Sequence, residues 1–151
     1  SAGHCSHAVN DFRKICNLQS FTPTDNVSEL TARINDEGWE NSYKNYLKGS
    51  KLNSDDVIMV YSVGGGSKEK NISVNLINCI DYSKEIGCKI ISVIGKETGY
   101  ANKKSDVCLV FDIDDSNFVT PITEGLTSVI WHFLVSHPDL MENKTTWESI
   151  K

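Results

Sequence analysis

The chain has 151 residues, a length typical of one domain, and 39% of them are hydrophobic. Its formal net charge of −5 argues against a general nucleic-acid-binding surface, which would need clustered Lys and Arg side chains. The sequence contains no apolar run of the ~20 residues that a membrane span requires. Its five cysteines are irregularly spaced and form no C-x-x-C pair, which indicates a reducing, cytoplasmic compartment rather than a disulfide framework.

The first third of the chain is predicted to be mostly helical. The expected elements, in chain order, are a helix over 2–17, a short strand over 18–22, and helices over 24–36 and 39–49. Ser1 is a suitable N-cap for the first helix, and Gly49 is a typical C-terminal glycine for the third. Because His7 and Asp11 already have helical spacing, the chain starts inside a structural element. We therefore expect an N-terminal part of the fold to be missing.

Strands and helices alternate in the rest of the chain. The expected elements are a strand over 55–62, a helix over 70–86, a strand over 88–95, a short helix within 96–105, a strand over 106–113 and a helix over 120–138. Pro121 suits the first turn of the last helix, and Pro138 ends it. This alternation predicts an α/β fold of right-handed βαβ units. The strands are nearly continuous in apolar residues, as in parallel sheets covered by helices on both faces.

A glycine-rich loop, SVGGGSKEKNIS, follows the first of these strands. Loops at the carboxyl ends of parallel strands form ligand sites, and a following helix N-terminus offers free N–H groups to an anion. The loop matches neither G-x-G-x-x-G nor a Walker A motif. Its glycines are therefore compatible with a phosphate cradle and also with a flexible strand-to-helix turn.

Two pairs of residues, each on one predicted helix, combine an imidazole with a carboxylate. His7 and Asp11 are spaced i and i+4, and Glu124 and His132 are two turns apart on a common helix face. Such groups can act as general acid and base or can hold a divalent metal. Taken one by one, each also fits an ordinary surface or core residue.

The chain resembles the sugar isomerase (SIS) domain family, and within it the phosphoheptose (sedoheptulose 7-phosphate) isomerase group. The resemblance rests on the order and spacing of several segments: SHAVNDFRKI, PTDNVSELT, NDEGW, SVGGGSKEKNIS, ISVIGKETGY and TEGLTSVIWHFLVSHP. It implies one SIS domain over residues 1–151, a three-layer αβα sandwich with a parallel, flavodoxin-like sheet of five strands. The leading helix and first strand of that fold would be missing before Ser1.

The resemblance assigns the glycine loop to phosphate binding. Ser1 resembles the last residue of the family's G-N-G-G-S loop, and Ser62 matches the first serine of its S-T-S-G-N-S loop. Val63 and Gly64 replace hydroxyl residues there, so backbone N–H groups of Gly64 and Gly65 would carry more of the binding. Either Ser67 or Ser73 matches the last serine of that S-T-S-G-N-S loop.

The remaining site residues are also implied by the resemblance. His7, Asp11, Glu124 and His132 stand at the family's metal and acid/base positions, with Asp11 for glutamate and Glu124 for glutamine, and zinc is the implied metal. Asp11 and His132 would transfer the proton of an aldose–ketose isomerisation through an enediol. Other family positions contact the sugar: Asp36 matches one aspartate, whereas Pro121 replaces another, which leaves the identity of the sugar open.

The resulting hypothesis is a phosphosugar isomerase acting on sedoheptulose 7-phosphate, assembled as a homotetramer with its sites between subunits. Neither nucleic acid nor a membrane is an expected partner. The alternative is a non-catalytic SIS module that senses sugar phosphates or serves as a protein-binding adaptor. The position of Asp11 relative to His132 distinguishes the two, because an adaptor has no need of both in one pocket.

Overall fold

Helices and strands alternate through the second half of the chain, as the sequence predicts. The computed structural model describes residues 1–147. Its elements are, in chain order, α1 (Ala2–Cys16), α2 (Val27–Glu37), a 3₁₀ turn (Trp39–Asn41), α3 (Ser42–Gly49), β1 (Val57–Ser62), α4 (Val74–Ile86), β2 (Lys89–Ile94), α5 (Tyr100–Lys104), β3 (Val107–Val110) and α6 (Val119–Val135).

The sheet of the described residues has three parallel strands in the order β1-β2-β3. β1 pairs with β2 along its whole length, from Val57 to Ser62, and β2 pairs with β3 from Ile91 to Ile94. Successive side chains of a strand point to opposite faces, and both faces of this sheet carry apolar residues. Each face therefore needs a covering layer.

Helices cover both faces of the sheet. One buried cluster joins the sheet to α4 and α5: Val60, Ile80, Ile90, Ile94 and Ala101. A second cluster joins the sheet to α1 and α6: Ala8, Tyr61, Val93 and Trp131. The predicted three-layer αβα sandwich with a parallel sheet is confirmed.

α1 and α6 lie side by side and run in the same direction. The backbone nitrogen of Ser1 is 2.9 Å from Glu124 Oε1 near their first turns. Cys16 Sγ is 3.7 Å from the carbonyl oxygen of Val135 at their ends. The two helices therefore present matched faces to each other over their whole length, although they are more than a hundred residues apart in the sequence.

The predicted strand over 18–22 is wrong. This segment has neither helix nor strand, and the side chains of Leu18 and Phe21 are exposed. Asn17 takes a left-handed conformation (φ 55°) after the last turn of α1, and the Leu18 N–H donates to the Phe12 carbonyl at 3.1 Å. The segment thus closes the end of α1. It pairs with no strand in the part of the chain that the structure describes.

The helix predicted over 70–86 begins later, at Val74. Ser67 and Ile72 exchange both backbone hydrogen bonds at 3.0 Å, so the residues between them form a small closed loop. Asn71 and Ser73 adopt left-handed backbone conformations (φ 53° each), which a helix cannot contain. The other predicted helices and strands are confirmed with shifts of a few residues at their ends.

The five cysteines are free thiols, as predicted. Cys79 and Cys88 are buried in the core, and Cys108 is half-buried. Burial raises the pKa of Cys79 to about 12, so its thiol stays protonated and unreactive. None of the helices in the described residues has the length and apolarity needed to cross a bilayer.

Candidate active site

A buried carboxylate lies between α1 and α6. The Asp11 side chain is only 6% exposed, and its Oδ2 accepts a hydrogen bond from Trp131 Nε1 at 3.2 Å. Asn10 Nδ2 donates to the other carboxylate oxygen, Oδ1, at 3.0 Å. Burying a carboxylate without donors costs several kcal/mol, so these two N–H groups are what allow Asp11 to be buried here.

Two imidazole rings face this carboxylate. The Nε2 atoms of His7 and His132 each lie 3.5 Å from Asp11 Oδ2, and the ring centroids are 5.3 Å apart in an edge-to-face arrangement. His132 Nδ1 lies 2.6 Å from the Ser128 carbonyl oxygen, which can only accept a hydrogen bond. Nδ1 of His132 therefore carries the proton. In the neutral ring the lone pair of Nε2 then points to Asp11.

These three residues are suitable ligands for a metal ion. One ligand atom from each of His7, Asp11 and His132 lies within 4.8 Å of the others. Ligand atoms 2.0–2.1 Å from a tetrahedral zinc ion stand about 3.3 Å apart, close to the two observed separations of 3.5 Å. Two histidines and one carboxylate are also the ligand set of many catalytic zinc sites, and the hydrogen bond from His132 Nδ1 is the usual outer-shell support.

Glu124, the fourth predicted ligand, lies outside this group. Its Oε1 is 2.9 Å from the Ser1 nitrogen and 3.5 Å from Ser1 Oγ. The structure thus brings two predicted site residues, Ser1 and Glu124, together at one end of the helix pair. The role of Glu124 as a metal ligand stays a prediction.

The glycine-rich loop is held in place by its own backbone. Gly65 N–H donates to Ser62 Oγ at 3.0 Å, so the N–H group predicted to bind phosphate already has a partner. Two N–H groups at the start of α5 donate to the carbonyls of Gly65 and Gly66 at 2.9 Å each. A Cβ atom on Gly65 would lie 3.2 Å from the Gly99 Cα, and its φ of 68° also favours glycine. Close packing therefore explains why position 65 requires glycine, whereas a Cβ atom at Gly64 would have nothing within 4 Å.

Ser67 and Ser73, the two candidates for the last serine of the phosphate loop, differ in their surroundings. Ser67 Oγ accepts a hydrogen bond from the Lys70 N–H at 3.2 Å, within the small closed loop. Ser73 directly precedes α4, is exposed, and makes no side-chain capping bond. The N–H groups of Val74 and Asn75 have no acceptor among the described residues. The start of α4 therefore offers free donors and the positive end of the helix dipole beside Ser73.

Asp36 is apart from both groups. It lies in the last turn of α2, is exposed, and accepts a hydrogen bond from Asn35 Nδ2 at 2.7 Å. An open groove of about 290 Å³ lies between the 3₁₀ turn and the start of α4, and Trp39 and Ser73 are among its lining residues. No side-chain hydrogen bond joins the glycine loop to the histidine pair within residues 1–147.

Three contributors to the site were missed at the sequence level. Trp131 supplies the N–H group to Asp11, Ser128 orients His132 through its carbonyl, and His4 packs its ring 5.2 Å from the ring of Trp131. Burial is the main cause that lowers the pKa of His4. The i−4 spacing of Ser128 from His132 was a usable signal. The contact of Trp131 with Asp11 depends on the packing of two distant helices.

No protein-family model matches the chain. It is 28% identical over 144 residues to the lincomycin biosynthesis protein LmbN of Streptomyces lincolnensis, which covers 91% of this chain and 52% of that protein. It is 27% identical over 117 residues to a phosphoheptose isomerase of Helicobacter pylori, which covers 78% of this chain and 55% of that enzyme. A phosphoheptose isomerase from Francisella tularensis shares the fold with a TM-score of 0.74 at 20% identity, over 90% of this chain and 68% of that structure.

The chain is similar in sequence and in fold to phosphoheptose isomerases. The resemblance to the SIS family that the sequence segments indicate is therefore confirmed, and so is the SIS-type αβα fold. The chain spans about half the length of the curated relatives that it matches.

Proposed function

We propose that the protein is a phosphosugar isomerase that interconverts a ketose phosphate and an aldose phosphate, with sedoheptulose 7-phosphate as the substrate. The observation that carries this proposal is the 3.5 Å separation between Asp11 Oδ2 and His132 Nε2. The two groups meet inside one chain, although they come from helices at opposite ends of the sequence. A sensor or adaptor has no need of this pairing, so the geometry favours an enzyme.

The first half of the reaction requires two proton transfers, and this pair can supply the base. A base removes the proton from the carbon beside the carbonyl, while an acid protonates the carbonyl oxygen, and an enediol results. Return of that proton to the neighbouring carbon, with transfer of the other hydroxyl proton back to the conjugate base of the acid, completes the isomerisation. Nε2 of neutral His132 can accept a proton because its Nδ1–H is held by the Ser128 carbonyl. Asp11, kept in place by Trp131, stabilises the imidazolium that then forms.

Zinc fits the same group of residues. His7, Asp11 and His132 would hold the ion, and a bound zinc would act as a Lewis acid toward the sugar carbonyl. Because His132 Nε2 has one lone pair, zinc binding by this nitrogen and its role as the base are alternatives. Metal analysis after dialysis against zinc tests this step, with His7→Ala as the variant expected to lose the ion and His137→Ala as the control outside the group.

The phosphate of the substrate is assigned to the start of α4. Ser73 and the free N–H groups that follow it form the centre of this site, and the hydroxyl groups of Ser62, Ser67 and Ser1 are the further predicted donors. Gly65 supports the loop by packing rather than by donating its N–H group. Sugar-binding roles for Asp36 and Glu124 remain part of the proposal.

An exposed apolar stripe on α6 supports assembly into a homo-oligomer. Its residues follow helical spacing and stay accessible: Phe118, Ile122, Leu126, Val129 and Phe133. The last of them is 70% exposed, which is costly for an apolar side chain on a monomer. We propose that a second copy of the chain covers this stripe. Light scattering of the wild type against Phe133→Glu tests it, since the glutamate variant should dissociate.

The isomerase proposal is tested by measuring conversion of sedoheptulose 7-phosphate to the aldose product. Asp11→Asn and His132→Ala should each lower turnover by a factor of about 10² or more, because the first removes the charge that stabilises the imidazolium and the second removes the base. His137→Ala is the matched control, since His137 is exposed and lies outside the group. Turnover that persists in both variants would contradict the assignment. Binding of the sugar phosphate without turnover in the wild type would favour the sensor alternative.

A further inference from the structure

The segment after α6 folds back onto the end of α1. Beyond Val135 the chain turns, and the N–H groups of residues 140 and 141 both donate to the His137 carbonyl at 2.9 Å. The N–H groups of Glu142 and Asn143 then donate to the Ile15 carbonyl at 3.1 and 2.9 Å. The side-chain amide of Asn143 adds a bond to the Lys14 carbonyl at 3.0 Å. Carbonyls in the last turn of a helix lack partners within the helix, so these contacts cap α1.

This return places an aromatic ring beside the candidate site. The Trp147 ring centroid lies 5.9 Å from that of His132, with 58° between the ring planes. Trp147 is 36% exposed, and its segment has neither helix nor strand. His132 also contacts Trp131 at 4.9 Å and His7 at 5.3 Å between centroids. Trp147 is thus the third aromatic ring packed around His132.

We propose that Trp147 is a wall of the active site that covers His132 and contacts the carbon backbone of the bound sugar. An indole ring offers a broad apolar face with few rotatable bonds, and ligand sites commonly combine such faces with a few polar groups. The bonds of Glu142 and Asn143 to α1 hold the ring there. The cover over His132 stands on the geometry alone, whereas the sugar contact rests on the proposed isomerase function.

Chemical labelling tests the cover without any assay of activity. Diethyl pyrocarbonate modifies accessible imidazoles, and peptide mass spectrometry assigns the rate to each histidine. In Trp147→Ala, His132 should react several-fold faster than in the wild type. In Trp147→Phe, the rate of His132 modification should stay close to that of the wild type. His137, whose side chain is 58% exposed, is the internal reference and should react equally in all three proteins. An unchanged His132 rate in Trp147→Ala would overturn the proposal.

Kinetics then test the contact with the sugar. Trp147→Ala should raise the KM for the ketose phosphate about five-fold with a smaller change in kcat, the size expected for one aromatic contact. Inhibition by inorganic phosphate should be unchanged, because phosphate is assigned to the start of α4. Phe21→Ala removes another exposed aromatic ring, outside the proposed site, and should leave KM unaltered.

The two proposals fail in different ways. A wild-type protein without turnover would refute the isomerase function, and the His132 labelling would still decide the cover. An active enzyme whose KM is the same in Trp147→Ala would refute the sugar contact alone. Circular dichroism of each variant confirms that the fold is intact, which is expected because Trp147 lies outside both buried clusters.

Discussion

Gly99→Ala should separate the glycine-rich loop from the start of α5. Gly99 has φ −58° and ψ 142°, which alanine adopts without strain, so the substitution tests packing alone. An added Cβ would lie 2.6 Å from the Gly64 carbonyl oxygen and 3.1 Å from the Gly65 Cα. Both neighbours are backbone atoms that cannot rotate away. The loops must therefore move apart, which lengthens the two 2.9 Å hydrogen bonds between them.

The expected cost follows from these contacts. Overpacking of a tight site costs about 1–3 kcal/mol, and each weakened backbone hydrogen bond adds about 0.5–1.5 kcal/mol. The lower entropy of the unfolded alanine chain offsets about 0.4–1 kcal/mol. We expect urea denaturation to show that Gly99→Ala is destabilised by about 2–4 kcal/mol. The affinity for inorganic phosphate, measured by calorimetry, should fall as well, because the displaced loop carries Ser62 and Ser67.

Gly125→Ala is the matched control for this experiment. Gly125 lies in α6 and has nothing within 4 Å of an added Cβ. The substitution should stabilise the protein by up to about 1 kcal/mol through helix propensity and leave phosphate binding unchanged. If the unfolding free energy of Gly99→Ala were within about 0.5 kcal/mol of that of the wild type, the tight loop packing described above would be refuted.

Three further predictions concern single contacts. Trp131→Phe removes the indole donor to Asp11 and should lower the unfolding free energy by about 1.5–3 kcal/mol, as measured in urea; a neutral result would contradict the role of that bond. The Thr123 hydroxyl is buried with no hydrogen-bond partner among the described residues, so Thr123→Val should be neutral or stabilising by about 1 kcal/mol, and clear destabilisation would reveal a hidden partner. The hydrogen bond from Lys84 keeps the pKa of Asp106 well below its usual range, so the carboxylate stabilises the fold above its unfolded pKa of about 3.9. The stability difference between wild type and Asp106→Asn should therefore be largest near pH 7 and shrink as the pH falls below about 4, and a pH-independent difference would exclude this linkage.

Local sequence patterns were sufficient to predict most of the helices and strands. The apolar runs of β1, β2 and β3 are flanked by turn residues, and the periodicity of α6 extends over its whole length, so each element is encoded within its own segment. The strand expected over 18–22 shows the limit of this approach. A strand forms only beside another strand, and no spacing within five residues reports whether a neighbour exists.

The candidate site was predictable only in part for a similar reason. The i, i+4 spacing places His7 and Asp11 on one face of α1. Their meeting with His132 results from the parallel packing of α1 against α6, which no local pattern encodes. Trp147 lies in a segment without periodicity, so nothing in the sequence pointed to its position beside His132.

The pairing of α1 with α6 also bears on how the protein is made. Trp131 and Asp11 are 120 positions apart, so two distant segments contribute to the one centre. During synthesis on the ribosome, the sheet and α4 can form while Asp11 still has no indole donor. The candidate chemistry therefore cannot begin until α6 has been released, and a chain that terminates before α6 lacks the centre altogether.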